Sequence, residues 1–365
     1  MPAPIYVNAR FTTQPLTGVQ RYGLEISLRL TGVRFVAAGV HRPEYAELAA
    51  RPEYETTRLR LGCSGPAGHL WEQQILSRHL PAGALLWSPG GAGPMAVANQ
   101  ILTIHDIAHL EHPEWYSLSF SGLYRFLLPR LASRVQHILT ISEYSRQRIT
   151  QTLGVPADRI TVVHPGISGR FGATDPVAQE EVRARHSLHD PYILAVGAIS
   201  ARKNIARLFD AWRIIANRVA PVRLAIVGEA GMGFSTMSSA GALPPRTLCL
   251  GRVGDDDLVA LYGGALAFVY PSLYEGFGLP PLEAMAGGCP VVCSNATSLP
   301  EAVGDAALPV DPMSVDSIAS GLVRIIEDDA LRDSLRTRGP RQAARFTWDH
   351  AASRIDDLLH RAAAN

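Results

Sequence analysis

Short runs of β-branched and other apolar residues alternate with longer stretches whose apolar positions recur at helical spacing. This pattern predicts strands over 5–8, 34–38, 85–87, 100–104, 137–141 and 160–163 in the first half. A loop over 12–18 and a helix over 20–30 separate the first two strands, and Ser142 is placed to cap a helix running to Leu153. The second half repeats the alternation, with strands over 192–196, 222–227, 247–250, 267–270 and 290–293 and a closing amphipathic helix over 348–363. Between 166 and 191 the strand signal stops, and Gly, Pro, Asp and Ser cluster around one short polar helix near 177–186.

Strands regularly separated by helices predict an α/β fold with parallel sheets. The expected organisation is a Rossmann-like domain over 1–170, a linker over 171–190, a second Rossmann-like domain over 191–345, and a helix over 346–365 returning toward the first domain. Two doubly wound domains facing across a cleft place a ligand beyond the carboxyl ends of their strands.

Composition narrows the partners. With 47% hydrophobic and 18% charged residues the chain can bury large cores and is not disordered, and its 365 residues suit two domains at roughly 150 residues each. A net charge of +1 supplies no field for nucleic acid. Cys63, Cys249, Cys289 and Cys293 have no zinc spacing and read as reduced thiols in or near the core. The first residues lack a basic segment followed by an apolar run, and no run of about 18 apolar residues occurs, so neither an export signal nor a spanning helix is expected and the location is cytoplasmic.

The most informative stretch is VYPSLYEGFGLPPLEAMAGGCPVV, residues 269–292. A strand ends at Tyr270, a loop carries Glu275, Gly276, Phe277 and Gly278, and Leu279 and the two prolines open a helix that holds Glu283 and stops at Gly287-Gly288. Glycines let backbone amides approach a ligand, and the helix start offers unpaired donors and a positive dipole end suited to a diphosphate. Glu275 and Glu283 can accept hydrogen bonds from vicinal hydroxyls of a sugar and a ribose.

Arg202 and Lys203 follow a strand end and open the next helix, where fixed cations can offset charge on a departing diphosphate. Gly18 and Val19 begin a helix after the first strand, and their amides suit the same anion. His105, Asp106, His109 and His112 suggest a zinc site, but His105 sits at a strand end and Pro113 interrupts helical spacing, so no metal is expected. Asp255-Asp256-Asp257 imitates a metal-binding Asp-x-Asp, yet three acids before an apolar run fit a helix N-terminus. Over 116–139, Phe120, Leu123, Tyr124, Phe126, Leu127, Leu128 and Leu131 mix with Arg125, Arg130 and Arg134. This composition suits either a core helix with a basic edge or a helix lying on an anionic membrane.

The chain resembles glycosyltransferase family 4, with its two-Rossmann GT-B fold. The spacing from Glu275 to Glu283 matches that family's Glu-x7-Glu motif. TGVQRY at 17–22, HDIAHLEHPEW at 105–115, TISEYSRQRI at 140–149, VVHPGI at 162–167, RKN at 202–204, GRVGDDDLVALY at 251–262, LPEAVGDAA at 299–307 and FTWDHAA at 346–352 extend the likeness over nearly the whole chain. Ser200-Ala201 departs from the Glu-Pro more usual before the basic pair.

The resemblance implies retaining transfer of a hexose from a nucleotide diphosphate sugar to a saccharide, with no cofactor or metal, the domain over 1–170 on the acceptor side and the domain over 191–345 binding the nucleotide sugar. It places Glu275 on the sugar hydroxyls and Glu283 on the ribose. The backbone of Gly276, Phe277, Gly278 and Leu279 would line the sugar and diphosphate, and the loop with Arg252 and Val253 the base. His105 would stand near the reaction centre, orienting a hydroxyl or supporting positive charge. HDIAHLEHPEWY with RKN is similar to bacterial mannosyltransferases of polysaccharide assembly, which implies GDP-mannose as donor, a lipid-linked saccharide as acceptor and contact with the inner face of the plasma membrane.

UDP-, dTDP- and GDP-fucose donors stay open, as do a sugar-nucleotide epimerase and a non-catalytic sugar-nucleotide-binding protein. A dinucleotide oxidoreductase does not fit. The first strand lacks Gly-x-Gly-x-x-Gly, and the glycine-rich run at 228–233 sits mid-domain.

Overall fold

The computed structural model describes residues 2–57, 65–172, 174–198, 200–228 and 243–364. The chain forms two compact units, Met1–Gly166 with Thr347–Asn365, and Ile167–Phe346.

Unit 1 is built on β1 (Ile5–Asn8), β2 (Val33–Ala37), β3 (Tyr54–Thr56), β4 (Leu85–Ser88), β5 (Gln100–Thr103), β6 (His137–Thr140) and β7 (Ile160–Val162), interleaved with α1 (Gly18–Ser27), α2 (Leu118–Arg134) and α3 (Glu143–Leu153). Among the described residues these strands form one sheet in the order β3-β2-β1-β4-β5-β6-β7. Every pairing is parallel, as β1 with β2 (Ile5 opposite Val33) and β5 with β6 (Ile101 opposite His137).

The central strands β1 and β4 are buried along their whole length, which is why they read as unbroken apolar runs. Ser142 caps α3 by accepting from the Ser145 amide, and Gly154 closes that helix in the left-handed conformation.

Unit 2 contains β8 (Tyr192–Val196), β9 (Arg223–Val227), β10 (Thr247–Gly251), β11 (Ala267–Tyr270), β12 (Val291–Ser294) and β13 (Leu308–Val310), with α4 (Pro176–Arg185), α5 (Ile205–Ile215), α6 (Asp255–Gly264), α7 (Leu279–Ala286), α8 (Val315–Glu327) and α9 (Asp329–Ala343). Its described strands are again all parallel, in the order β10-β9-β8-β11-β12-β13. Trp212, Leu208 and Ile205 of α5 and Ile318, Leu322 and Ile325 of α8 bury their apolar faces against this sheet. Residues 171–190 carry α4, which packs on α6 within unit 2.

The chain then re-enters unit 1 as α10 (Trp348–Ala364). Trp348, Ile355 and Leu359 of α10 join the core formed by β1, β2 and α1. The crossing is tight. A side chain at Gly166 would place its Cβ 2.0 Å from the Trp348 amide nitrogen, so only glycine fits there.

Sequence reasoning missed β3 and β13. Both are three-residue edge strands, one with the polar residues Glu55 and Thr56 and the other with Pro309 at its centre, so neither has enough length for its own pattern to show. Cys289 and Cys293 are buried, but Cys249 is exposed on the edge strand β10 rather than at the core; Cys63 lies outside the described residues.

α2 is a core helix and an exposed one at once. Tyr124, Leu127, Leu128 and Leu131 are buried, while Leu118 (91% exposed), Phe120, Leu123 and Phe126 face outward with Arg125, Arg130 and Arg134. Among the described residues no helix is long and apolar enough to cross a membrane.

Candidate functional site

At the carboxyl edge of the unit 2 sheet, three adjacent strands end in glycine. Gly197, Gly228 and Gly251 follow or finish β8, β9 and β10 with φ of 143°, 151° and 68°. The Gly197 amide donates to Val227 O at 2.9 Å and the Gly228 amide to Gly251 O at 2.8 Å. A Cβ on Gly228 would fall 2.1 Å from Gly197 O. Gly228 is thus needed for the close approach of the neighbouring strand end and Gly197 lies against the Lys203 side chain, while Gly251 alone of the three has open space where a side chain would stand.

Beyond Gly197 the chain makes a 3-10 turn, Ala201–Lys203, and Asn204 follows in the left-handed conformation. Arg202 and Lys203 thus stand in a turn before α5 rather than in its first helical residues. Asn204 is buried and donates to Pro271 O at 2.9 Å and Pro312 O at 2.7 Å, which fixes the turn against the end of β11. The Leu273 amide donates to Arg202 O at 2.9 Å, tying the two loops again.

That register brings Lys203, Arg202 and Glu275 together. Lys203 Nζ donates to Glu275 Oε1 at 2.7 Å, and Arg202 Nη1 lies 3.7 Å from Glu275 Oε2. The Tyr270 hydroxyl donates to Glu275 Oε1 at 3.0 Å and also meets Lys203 Nζ. Glu275 is only 7% exposed. Burial opposes its ionisation, but Lys203 and Arg202 outweigh burial and hold the carboxyl below its usual range. Burial and the Glu275 charge push Tyr270 well above the ordinary phenol range, so it stays a neutral donor.

The loop after Glu275 is held from behind. Ser298 Oγ donates to Glu275 O at 2.8 Å and to Phe277 O at 2.9 Å, and the Glu275 amide donates to Thr297 Oγ1 at 3.2 Å. Gly276 and Gly278 are buried, and the Phe277 ring packs edge-on to Phe346. Gly278 enters α7 at φ 129°, with Pro280 and Pro281 in the first helical turn, where missing amides cost nothing. Leu279 and Glu283, both half-buried, lie on α7. Burial, with the Glu283 charge next in effect, raises Tyr262 well above its ordinary value, which places Glu283 beside that ring. Arg252 and Val253 occupy the turn between β10 and α6.

In unit 1, Gly18 and Val19 form the first turn of α1, and Gly18 is exposed with open space at its Cα. His105 follows β5, its ring edge-on to Tyr22 at 4.8 Å. His105 Nε2 lies 2.8 Å from Pro89 O, and a carbonyl can only accept, so Nε2 carries the proton and Nδ1 is left as an acceptor. Burial lowers the His105 pKa, keeping the ring neutral.

The remaining histidines diverge. His109 packs edge-on to Tyr124, while His112 stacks on Trp115 at 4.0 Å and meets Glu114. Asp255, Asp256 and Asp257 open α6, with Asp255 paired to Arg170 at 2.8 Å and Asp257 to His186 at 3.1 Å. Among the described residues no group of His, Cys, Asp and Glu is arranged to hold a metal ion. Residues 229–233 of the glycine-rich run lie outside the described residues.

Sequence reasoning overlooked Tyr270, Thr297, Ser298 and Asn204. Tyr270 ends the strand of the conspicuous motif, and Ser298 immediately precedes the LPEAVGDAA segment. Their roles emerge only when β11 and β12 lie side by side.

The sequence family described as "Glycosyl transferases group 1" matches residues 178–342, and "Glycosyltransferase Family 4" matches residues 75–168. The chain is 31% identical over 361 residues to "O-antigen chain mannosyltransferase B" of Escherichia coli, covering 93% of this chain and 94% of that one. It is 26% identical over 367 residues to "GDP-mannose-dependent alpha-(1-6)-phosphatidylinositol monomannoside mannosyltransferase" of Mycobacterium tuberculosis, covering 94% of each chain. In fold it is similar to Anabaena Alr3699/HepE crystallised with UDP and glucose, with a TM-score of 0.76, 17% identity and coverage of 98% and 99%.

Proposed function

Because the chain belongs to the GT-B glycosyltransferases and is related to the bacterial mannosyltransferases, we propose that it transfers mannose from GDP-mannose to a lipid-linked saccharide, with retention and without a metal ion. The chain is a sugar-nucleotide-dependent glycosyltransferase; donor, acceptor, stereochemistry and location are the proposal. The names of two relatives matched over 94% of their length support mannose, and one of them names GDP-mannose and phosphatidylinositol monomannoside.

The observation that carries the reading is the Lys203–Glu275–Arg202 cluster beside the glycine strand ends. Glu275 accepts from donor-sugar hydroxyls. Arg202 and Lys203 offset the negative charge growing on the departing diphosphate. Lys203 is already fixed by Glu275 and Tyr270, so little reorganisation is needed as the charge develops. The backbone of Gly276, Phe277, Gly278 and Leu279 binds sugar and diphosphate, and in unit 1 the amides of Gly18 and Val19 at the start of α1 are donors suited to a phosphate. Glu283 holds the ribose, and the turn with Arg252 and Val253 holds the base. His105, neutral and with Nδ1 free to accept, orients a hydroxyl rather than supplying positive charge. The acceptor hydroxyl attacks from the face the diphosphate leaves, and a leaving phosphate oxygen takes its proton. The enzyme works at the cytoplasmic face of the plasma membrane, with the apolar and basic edge of α2 against the lipid.

A thermal-shift panel of nucleotide sugars without divalent metal tests this directly. GDP-mannose raises the unfolding midpoint most. A larger shift with a UDP or dTDP sugar, or a shift only on adding metal, overturns the donor assignment.

A further inference from the structure

The two oxygens of Glu275 keep different company. Oε1 accepts from Lys203 Nζ at 2.7 Å and from the Tyr270 hydroxyl at 3.0 Å, which fills its two lone pairs. Oε2 faces Arg202, whose Nη1 stands 3.7 Å away, beyond direct hydrogen-bond range. An incoming hydroxyl is therefore accepted at Oε2.

Tyr270 closes a triangle with the other two side chains. Its hydroxyl oxygen accepts from Lys203 Nζ while its proton goes to Glu275, and the same ammonium lies 4.7 Å from the centre of the Tyr270 ring. The ring is itself held, stacked on Phe268 at 5.7 Å and 2% exposed. The Lys203 stem is held from another side, since a Cβ built on Gly197 would sit 3.3 Å from Lys203 Cε. Ser272, fully buried, adds a neutral hydroxyl beside Tyr270 and Glu275. On the next strand Cys293 faces Glu275, and burial and that carboxylate keep its thiol protonated. Charge around Glu275 thus comes from Lys203 and Arg202, and Tyr270 is the neutral group that bonds both ends of the Lys203–Glu275 pair.

We infer that Tyr270 is a positioning residue of the transfer: it pins Oε1 of Glu275 and the head of Lys203 to each other, so that the carboxylate is held from turning and presents Oε2 to a hydroxyl of the donor sugar. The inference rests on the reading that Glu275 holds the sugar. Without the phenol the carboxylate turns about its last bond, either oxygen can take Lys203, and the alignment of the sugar is lost.

Calorimetric titration with GDP-mannose and with GDP separates the sugar contact from the nucleotide contact. If another nucleotide sugar gives the largest thermal shift, that sugar and its own diphosphate take their place. Tyr270→Phe keeps the ring and removes only the hydroxyl. It lowers GDP-mannose affinity about fivefold, the effect of one hydrogen bond, and GDP affinity by less than about twofold. It also raises the pH at which GDP-mannose affinity falls in acid, because ionised Glu275 has lost a donor. A residue that only fills space would move neither the affinity ratio nor that pH. Incorporation of 3-fluorotyrosine in place of Tyr270 supplies a stronger donor of nearly the same shape. It moves the acid midpoint down, and it decides the matter should the Phe variant unfold. The inference is overturned if the Phe variant keeps the ratio of the unmodified chain, if it loses both ligands alike, or if neither replacement moves the acid midpoint. A ratio that falls in Glu275→Gln but not in Tyr270→Phe sinks the role of Tyr270 alone. An unchanged ratio in Glu275→Gln sinks the sugar contact beneath it, and failure of the unmodified chain to bind any nucleotide sugar sinks the transferase chemistry itself.

Discussion

Lys203 Nζ bonds Glu275 Oε1 at 2.7 Å across 72 residues of sequence, in a setting where the carboxylate is nearly fully buried. A cation and a carboxylate that the sequence reading assigns separately, to the diphosphate and to the sugar, thus form one unit. Arg202 at 3.7 Å leaves that unit with an excess of positive charge.

Replacing Lys203 by Ala removes the nearer cation and strands Glu275. Breaking a buried pair costs roughly 3–5 kcal/mol, and less where a second cation such as Arg202 stands by. We expect a lower denaturation midpoint, and turnover reduced more than donor affinity, because the charge acts on the leaving group. Equal loss in both kinetic parameters would argue against that role.

Glu283→Ala tests the ribose contact. A hydrogen bond to a charged acceptor contributes about 1.5–3 kcal/mol, so GDP affinity measured by calorimetry should fall roughly ten- to hundredfold. Unchanged affinity would refute the assignment.

Gly278→Ala forces a side chain into φ 129° and sets its Cβ 2.8 Å from Leu299 Cδ2. Backbone strain of this kind costs about 1–3 kcal/mol. Gly18→Ala meets open space and should change stability by no more than about 0.5 kcal/mol. Urea unfolding of both variants checks the contrast, and similar losses would contradict it.

Acid should weaken the fold in two stages. Burial lowers the pKa of His105, His109 and His137 below 6.5, so the unfolded chain binds more protons than the folded one. Their contribution is complete above pH 6.5 and is lost as pH falls through the lower folded values. Glu72 and Glu275, both held below 4.5 by neighbouring cations despite burial, add a second loss beneath pH 4.5. A thermal midpoint that stays flat from about pH 7 down to pH 5 would exclude the histidine stage.

The outer edge of α2 should bind anionic membrane. Leu118 and Phe126 are exposed, and Arg130 lies over the Phe126 ring at 3.8 Å. Co-sedimentation with vesicles containing phosphatidylglycerol should fall severalfold in a Phe126→Ser, Arg130→Glu variant. Absence of binding by the unmodified protein would remove the membrane from the proposal.

The alternation of strand and helix was legible in the sequence because β-branched runs, the Ser142 cap and the helix-breaking glycines act through near neighbours. The same holds for the loop from Glu275 to Gly278 and the prolines of α7, whose chemistry lies within one contiguous stretch. What periodicity could not carry was partnership. β3 and β13 exist because a neighbouring strand offers them an edge, and α10 belongs to unit 1 because its apolar face fits the core of β1 and α1. Parallel sheets join strands far apart in sequence, so only tertiary structure decided that Lys203 meets Glu275 and that Ser298 braces the loop from behind.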